Sequence, residues 1–219
     1  MQKYVAIIGD IVQSKKIQKR AEVQENLKQV LNTINTIYHE DIAANFIITL
    51  GDEFQGLLND GLYVLEIIRL IQRQLYPTEV RFGIGYGEIT TQISREAAIG
   101  ADGPAYYAAR NMINDLRIQE KKYKRQASDV LVNVYEDDNI LVDQINTLFR
   151  INNIIKNEWS DEQRITIMDM IHYGESQESC ARRLGTTQST VARRLSSGKY
   201  IIYMDVENVI DKSLKEITK

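Results

Sequence analysis

NFIITLGDEFQGLL, residues 45–58, sets two apolar arms on either side of Gly51-Asp52, a turn pair with the glycine first. Strand-forming residues flanking such a pair read as a β-hairpin. Upstream, YVAII (4–8) is a short β-branched run closed by Gly9-Asp10, the composition of a buried strand. Between the two, Val23, Leu27, Val30, Leu31, Ile34 and Tyr38 recur at threes and fours and predict an amphipathic helix over 20–38. Downstream, Leu62, Leu65, Ile68 and Ile71 repeat that spacing until Pro77 stops it. VRFGIGYGEITT (80–91) has strand composition, and its glycines at 83, 85 and 87 let something approach the backbone closely. A helix opening at Pro104 and passing Ala109, Met112, Ile113 and Leu116 precedes a last strand in SDVLVNV (128–134). The order strand, helix, hairpin, helix, strand, helix, strand predicts an α+β fold, a ferredoxin-like βαββαβ core with an added strand. No helix fits between the hairpin arms, which excludes a doubly wound parallel sheet. Beyond Glu136 the pattern is helical. The expected division is an α/β domain over 1–140 and an all-α domain over 141–219.

The 219 residues are 43% hydrophobic and 26% charged, enough apolar side chain to offset ordering entropy and exclude extended disorder. The net charge of −3 argues against polyanion binding by the whole chain but leaves room for a local basic patch. A single cysteine, Cys180, excludes an internal disulfide and a Cys-rich zinc site; it reads as a small core residue. No apolar run is long enough for a membrane span, so no membrane partner is expected. At the N-terminus the apolar residues come before the lysines, the reverse of a secretory signal. The expected compartment is the cytoplasm. Lys121, Lys122, Lys124 and Arg125 read as a solvated helix end.

Asp10 follows the first strand and Asp52 sits in the hairpin turn. In a βαββαβ sheet those strand ends are neighbours, and two carboxylates brought together favour a divalent cation. Magnesium prefers oxygen ligands and is commonly held by one or two carboxylates plus phosphates. Glu53 is then a third acid or a solvent-facing neighbour. Gly and Asp equally serve as plain turn residues, so spacing alone leaves both readings open.

These motifs resemble known families. Gly51-Asp52-Glu53-Phe54 at a hairpin resembles the diguanylate cyclase signature, and the run from Tyr4 to Leu116 resembles class III nucleotidyl cyclases. RFGIGYGE (81–88) is similar to a cyclase strand, and GADGPAYYAAR (100–110) to a cyclase helix ending in arginine. The resemblance implies a cyclase-type palm that binds a purine nucleotide with Mg2+ or Mn2+. It places the metal on Asp10, Asp52 and the carbonyl of Ile11, the nucleotide at Gly51, Glu53, Gly85 and Gly87, and charge stabilisation in catalysis on Arg110. Departures from the pattern are Tyr106 for the cyclase asparagine, Ile48 for its base-reading lysine, and Leu50 for the first glycine of the diguanylate cyclase signature. Over its full length, on YVAIIGDIVQSKK (4–16), ITLGDEFQGLL (48–58) and IGADGPAYYAAR (99–110), the chain resembles the SatD family.

WSDEQRITIMDMIHYGESQESCARRLGTTQSTVARRLSSGKY (159–200) reads as three short helices. Ser160 or Asp161 caps the first, whose apolar face is expected at Ile165, Met168 and Ile171, and Trp159 serves as a core anchor. Ala181 at the crossing, Gly185 in the turn and Val191 as the buried anchor have the spacing of a helix-turn-helix, whose second helix enters the major groove. Gln188, Ser189, Thr190, Arg193, Arg194 and Lys199 are then the DNA-contacting candidates, since Gln and Arg pair with adenine and guanine edges. Arg182 and Arg183 add positive charge. The segment resembles bacterial helix-turn-helix modules, those of sigma factors included; a helical hairpin used for packing is the alternative. Val206, Val209, Ile210, Leu214 and Ile217 mark a last amphipathic helix that covers the core or forms a dimer seam. The functional expectation is a transcriptional regulator with a nucleotide-sensing domain and a DNA-binding domain, acting as a homodimer. The alternatives are an active nucleotidyl cyclase or nucleotidyltransferase, and a non-catalytic interaction protein.

Overall fold

The computed structural model describes residues 2–96, 98, 100–123, 127–136 and 139–219, so Lys124 and Arg125 of the basic run lie outside the described residues. The α/β part runs β1 (Lys3–Ile11), α1 (Arg20–Ile37), β2 (Ile42–Leu50), β3 (Glu53–Leu58), α2 (Val64–Leu75), β4 (Val80–Glu88), α3 (Pro104–Tyr123) and β5 (Val130–Val134). Five helices follow: α4 (Ile140–Asn157), α5 (Asp161–Tyr173), α6 (Gln177–Arg183), α7 (Gln188–Ser197) and α8 (Tyr200–Ile217). The strands form one sheet in the order β2-β3-β1-β4-β5. β1 lies between β3 and β4 and is antiparallel to both, while β5 adds to β4 in parallel across α3. This is the expected α+β, βαββαβ palm with an added strand.

Alternation along each strand divides the sheet into two faces. Val5, Ile7, Phe46, Phe54, Phe82, Ile84 and Val132 point to one side, where Leu27, Leu31 and Ile34 of α1 and Ile67 and Ile71 of α2 cover them. Each such fully buried side chain contributes roughly 1.5–3 kcal/mol. The opposite face carries Ala6, Ile8, Ala44 and Leu57 beneath Ala105, Tyr106, Ala109 and Ile113 of α3. Here the glycines of β4 find their reason. A Cβ on Gly85 would lie 2.1 Å from the Ala105 carbonyl oxygen, and one on Gly83 would lie 2.2 Å from that of Ala109. The partner that approaches β4 closely is therefore α3. Gly85 and Gly87, expected at a nucleotide, instead face the first turns of this helix.

Two helices belong to both parts of the chain. Val142, Ile145 and Phe149 of α4 and Ile210 and Leu214 of α8 join the core under the sheet. At their other ends, Ile155 and Tyr203 join a separate core made by Trp159, Ile167, Met170, Cys180, Ala181, Val191 and Leu195. Polar groups are buried along this junction: Glu207 accepts from Arg69 of α2 at 2.7 Å and from Asn152 of α4 at 2.8 Å, and Asp129 pairs with Lys156 and accepts from Gln72 at 2.6 Å. The last helix thus covers the core, the first of its two expected roles.

Candidate functional site

The sheet register decides which acids meet. Asp10 stands opposite Glu53 on β3 and opposite Arg81 on β4. The turn consumes Gly51 and Asp52, so the acid directly across from Asp10 is Glu53. Asp52 lies beside them through its backbone, its carbonyl accepting from the Ile11 amide at 3.2 Å. Gly51 takes a positive φ of 61° to make that turn, and its carbonyl accepts from Gln24 at 2.6 Å. The Ile11 side chain is buried in the core beneath the sheet.

Arginines match these carboxylates one for one. Arg117 reaches Asp10 twice, Nη2 to Oδ1 at 3.0 Å and Nε to Oδ2 at 3.2 Å, and its Nη2 also lies 3.7 Å from Glu53. Arg110, two turns earlier on the same face of α3, pairs with Glu53. Arg81 bonds Glu120 at 2.9 Å, and its Nε lies 3.2 Å from Asp10 but out of line for a hydrogen bond. Asp10 and Arg81 are nearly closed to solvent, whereas the Arg110 and Arg117 side chains are about 40% exposed. The hydrogen bond from Arg117 to Asp10, opposed by burial and helped by the charges of Asp10, Glu53 and Asp52, raises the Arg117 guanidinium above its ordinary value. Asp10, Glu53 and Glu120 are paired with Arg81, Arg110 and Arg117, and the Asp52 charge lies beside them.

Mg2+ or Mn2+ does not fit this donor set. Both Asp10 oxygens already face a guanidinium, Glu53 is taken by Arg110, and among the described residues no three His, Cys, Asp or Glu side chains are grouped as metal ligands would be. Tyr106, at the cyclase asparagine position, is buried in the layer between α3 and the sheet, where burial pushes its phenol up. Its hydroxyl has no hydrogen-bond partner among the described residues. The missed members, Arg117 and Arg81, carried a legible signal. Arg117 follows Arg110 by seven residues, two helical turns, and Arg81 opens the strand that the topology sets beside Asp10.

The second candidate site is helical. Ser160 caps α5 in a capping box with Gln163, Ser176 caps α6 and Thr187 caps α7. Gly185 adopts φ +60° between α6 and α7. Ala181, Val191 and Leu195 are buried, as a helix-turn-helix requires. Of the expected α5 face, Met168 and Ile171 pack partly buried against this core, but Ile165 is 47% exposed, and Ile167 and Met170 are the fully buried members. Apolar residues at 165, 167, 168, 170 and 171 supply two overlapping stripes, and packing against Val191 and Leu195 selects one. On α7, Gln188, Ser189 and Arg193 are exposed and Thr190 is half-buried. Gln188 donates to Gln177 at 2.7 Å, linking the starts of α6 and α7. Arg194 turns inward to donate to Thr166 at 3.3 Å, Lys199 pairs with Glu158, and Arg183 is held by Asp169 and Glu175. The free basic groups on this face are fewer than the sequence count implies.

The chain thus carries a five-stranded α+β sheet whose Asp10 and Glu53 are paired with arginines, followed by five helices in which α6 and α7 are joined by a turn at Gly185. The SatD family model matches residues 4–214, and the chain belongs to the SatD family. Curated proteins yield no match. Among solved structures the chain is similar to a bacterial light-regulated adenylyl cyclase, at 12% identity over 59% of this chain and 74% of that one, with a TM-score of 0.42. It is also similar to the guanylate cyclase domain of RhGC from Catenaria anguillulae in complex with GTP, at 12% identity over 51% and 71%, TM-score 0.39. A regulator of polyketide synthase expression from Bifidobacterium adolescentis aligns at 13% identity over 97% and 86%, TM-score 0.27. Among the described residues no helix is long and apolar enough to cross a membrane.

Proposed function

We propose that this SatD-family protein is a DNA-binding regulator that reads the major groove with α7. The observation that carries the reading is the two-sidedness of this helix. Val191 and Leu195 fix it to α5 and α6 from behind, while Gln188, Ser189 and Arg193 stand exposed along its outer side. A rigid helix with Gln and Arg on its free face is what base-edge recognition needs, and Thr190 reaches a phosphate or base from its edge. Arg194 and Lys199 contribute to DNA only by exchanging Thr166 and Glu158 for phosphate. Helix-turn-helix proteins read paired half-sites as dimers, and Ile154 of α4 with Ile201, Ile202 and Val209 of α8 supplies exposed apolar surface for a homodimer. Mobility-shift titration on random-sequence and selected duplexes at stated salt tests the reading. Arg193→Ala with unchanged affinity overturns it, and sedimentation as a monomer at micromolar concentration removes the dimer.

A second reading is nucleotide sensing at the sheet edge, favoured by the partly exposed guanidiniums of Arg110 and Arg117 beside Asp10, Asp52 and Glu53. A purine triphosphate would displace the acids from the arginines, and phosphate is a natural partner for a guanidinium fork. Turnover as a cyclase has less support, because base recognition at Ile48 and donor chemistry at Tyr106 are gone. Incubation with ATP or GTP and Mg2+ or Mn2+ separates the cases: binding without cyclic product supports sensing, and product formation supports an enzyme.

A further inference from the structure

A β-sheet ends in two edge strands, and each presents backbone amides and carbonyls that a strand of another chain can complete. Here the edges are β2 and β5, and both are closed in the same way. On β5, the Val132 amide donates to Asn146 Oδ1 at 2.8 Å, and Asn146 Nδ2 donates back to the Val132 carbonyl at 2.9 Å. On β2, the Phe46 amide donates to Asn35 Oδ1 at 2.8 Å, and Asn35 Nδ2 donates back to the Phe46 carbonyl at 2.9 Å. A carboxamide carries the donor and acceptor of a peptide group, so each asparagine offers its strand the two bonds that a neighbouring strand would offer. Asn35 and Asn146 lie inside α1 and α4, where asparagine is a weak helix former more at home in caps and turns. Neighbouring edge groups are also taken. The Val130 amide donates to Ser128 Oγ at 3.3 Å, the Ile42 amide to the Tyr38 carbonyl at 3.1 Å, and the Asn45 amide to the Arg95 carbonyl at 3.0 Å. The β2–β3 register shifts between Ala44 and Ile47, the stretch that holds Phe46, and such a bulge turns an edge away from a partner.

We infer that Asn35 and Asn146 act as stand-in strands that bar copies of this chain from joining edge to edge, and so direct association to helical surface. Without Asn35 or Asn146, the Phe46 or Val132 amide and carbonyl lose both partners at once. An unpaired backbone group away from water is costly, and another chain's strand is a ready source of the missing bonds. The inference rests on neither the DNA reading nor the nucleotide reading. A homodimer through the exposed apolar residues of α4 and α8 uses neither edge and is compatible with it.

Asn35→Ala and Asn146→Ala in the full chain are compared with the native protein and with Asn32→Ala, which removes an exposed asparagine of the same helix α1. Circular dichroism establishes folding, sedimentation over a wide concentration range reads association, and infrared spectroscopy reads intermolecular sheet. The two edge variants should lose the native sedimentation pattern and form larger species that grow with concentration and carry the intermolecular-sheet band. The native protein and Asn32→Ala should not. Either edge variant folding and keeping the native sedimentation overturns the inference. So do larger species without that band, or equal association by Asn32→Ala, which would trace the effect to α1 in general. If the edge variants do not fold, hydrogen exchange in the native protein decides. The Phe46 and Val132 amides should exchange as slowly as that of Ile7 in the central strand β1. Exchange at the rate of an open edge overturns the inference.

Discussion

Replacing Asp10 by Asn separates two meanings of the acidic sheet edge by the sign of a stability change. If Asp10 and Glu53 are a repelling pair waiting for a cation, removing one charge stabilises the metal-free protein. In the structure Asp10 is a counter-ion, and the opposite sign follows. Removing one partner of a buried ion pair costs about 3–5 kcal/mol. Arg81, with a side chain only 8% exposed, keeps Glu120, while Arg117 at 40% exposure is screened by water and keeps Glu53. Both circumstances place the loss at the low end, about 3 kcal/mol. At roughly 2–4 °C per kcal/mol for a chain of this size, Tm should fall by about 6–12 °C. Thermal and urea melts of both proteins measure it, repeated with Mg2+ and with Mn2+. A ligand at a hundred times its Kd adds about 2.7 kcal/mol, so a specific cation would lift the native protein and spare the variant. An unchanged or raised Tm for Asp10→Asn, or a metal shift confined to the native protein, refutes the counter-ion argument.

Three further outcomes follow from the geometry. Gly85→Ala forces a Cβ to within 2.1 Å of the Ala105 carbonyl oxygen, a backbone atom that cannot swing aside; a loss of about 3 kcal/mol or more, seen in a urea melt, is expected. Arg193→Ala should weaken DNA binding and flatten the dependence of log affinity on log salt by roughly one phosphate contact, whereas Arg194→Ala should change stability more than the salt slope because its partner is Thr166. Burial, helped by Asp169, pushes the Cys180 thiol from 9.0 up to about 11. A thiol reagent should therefore label the protein only after unfolding. The unfolded chain also gives up this proton first, so the thiol's contribution to stability is lost as pH rises from about 9 to about 11, measurable as a falling urea midpoint.

The α/β topology was legible because each element announced itself locally: β-branched runs for strands, threes and fours for α1 and α2, and the Gly-Asp turn between β2 and β3. The site was legible only to within one residue. Whether Asp52 or Glu53 faces Asp10 depends on how many residues the turn consumes, and a one-residue shift exchanges the faces of a strand. The glycines of β4 correctly signalled close approach, but nothing local tells a helix from a ligand. Pairing was less legible still. Arg193 and Arg194 look alike in sequence, yet one is exposed and the other bonds Thr166, a difference set by where α5 packs.

The sharing of α4 and α8 between the two cores bears on how the protein can be dissected. A fragment ending near residue 140 would leave Phe82, Ile84 and Val132 without Phe149, Ile210 and Leu214 above them. The complementary fragment would carry Glu207 and Lys156 with no Arg69 or Asp129 to meet them. Neither half would inherit an intact surface, because α4 and α8 each run unbroken from one core into the other.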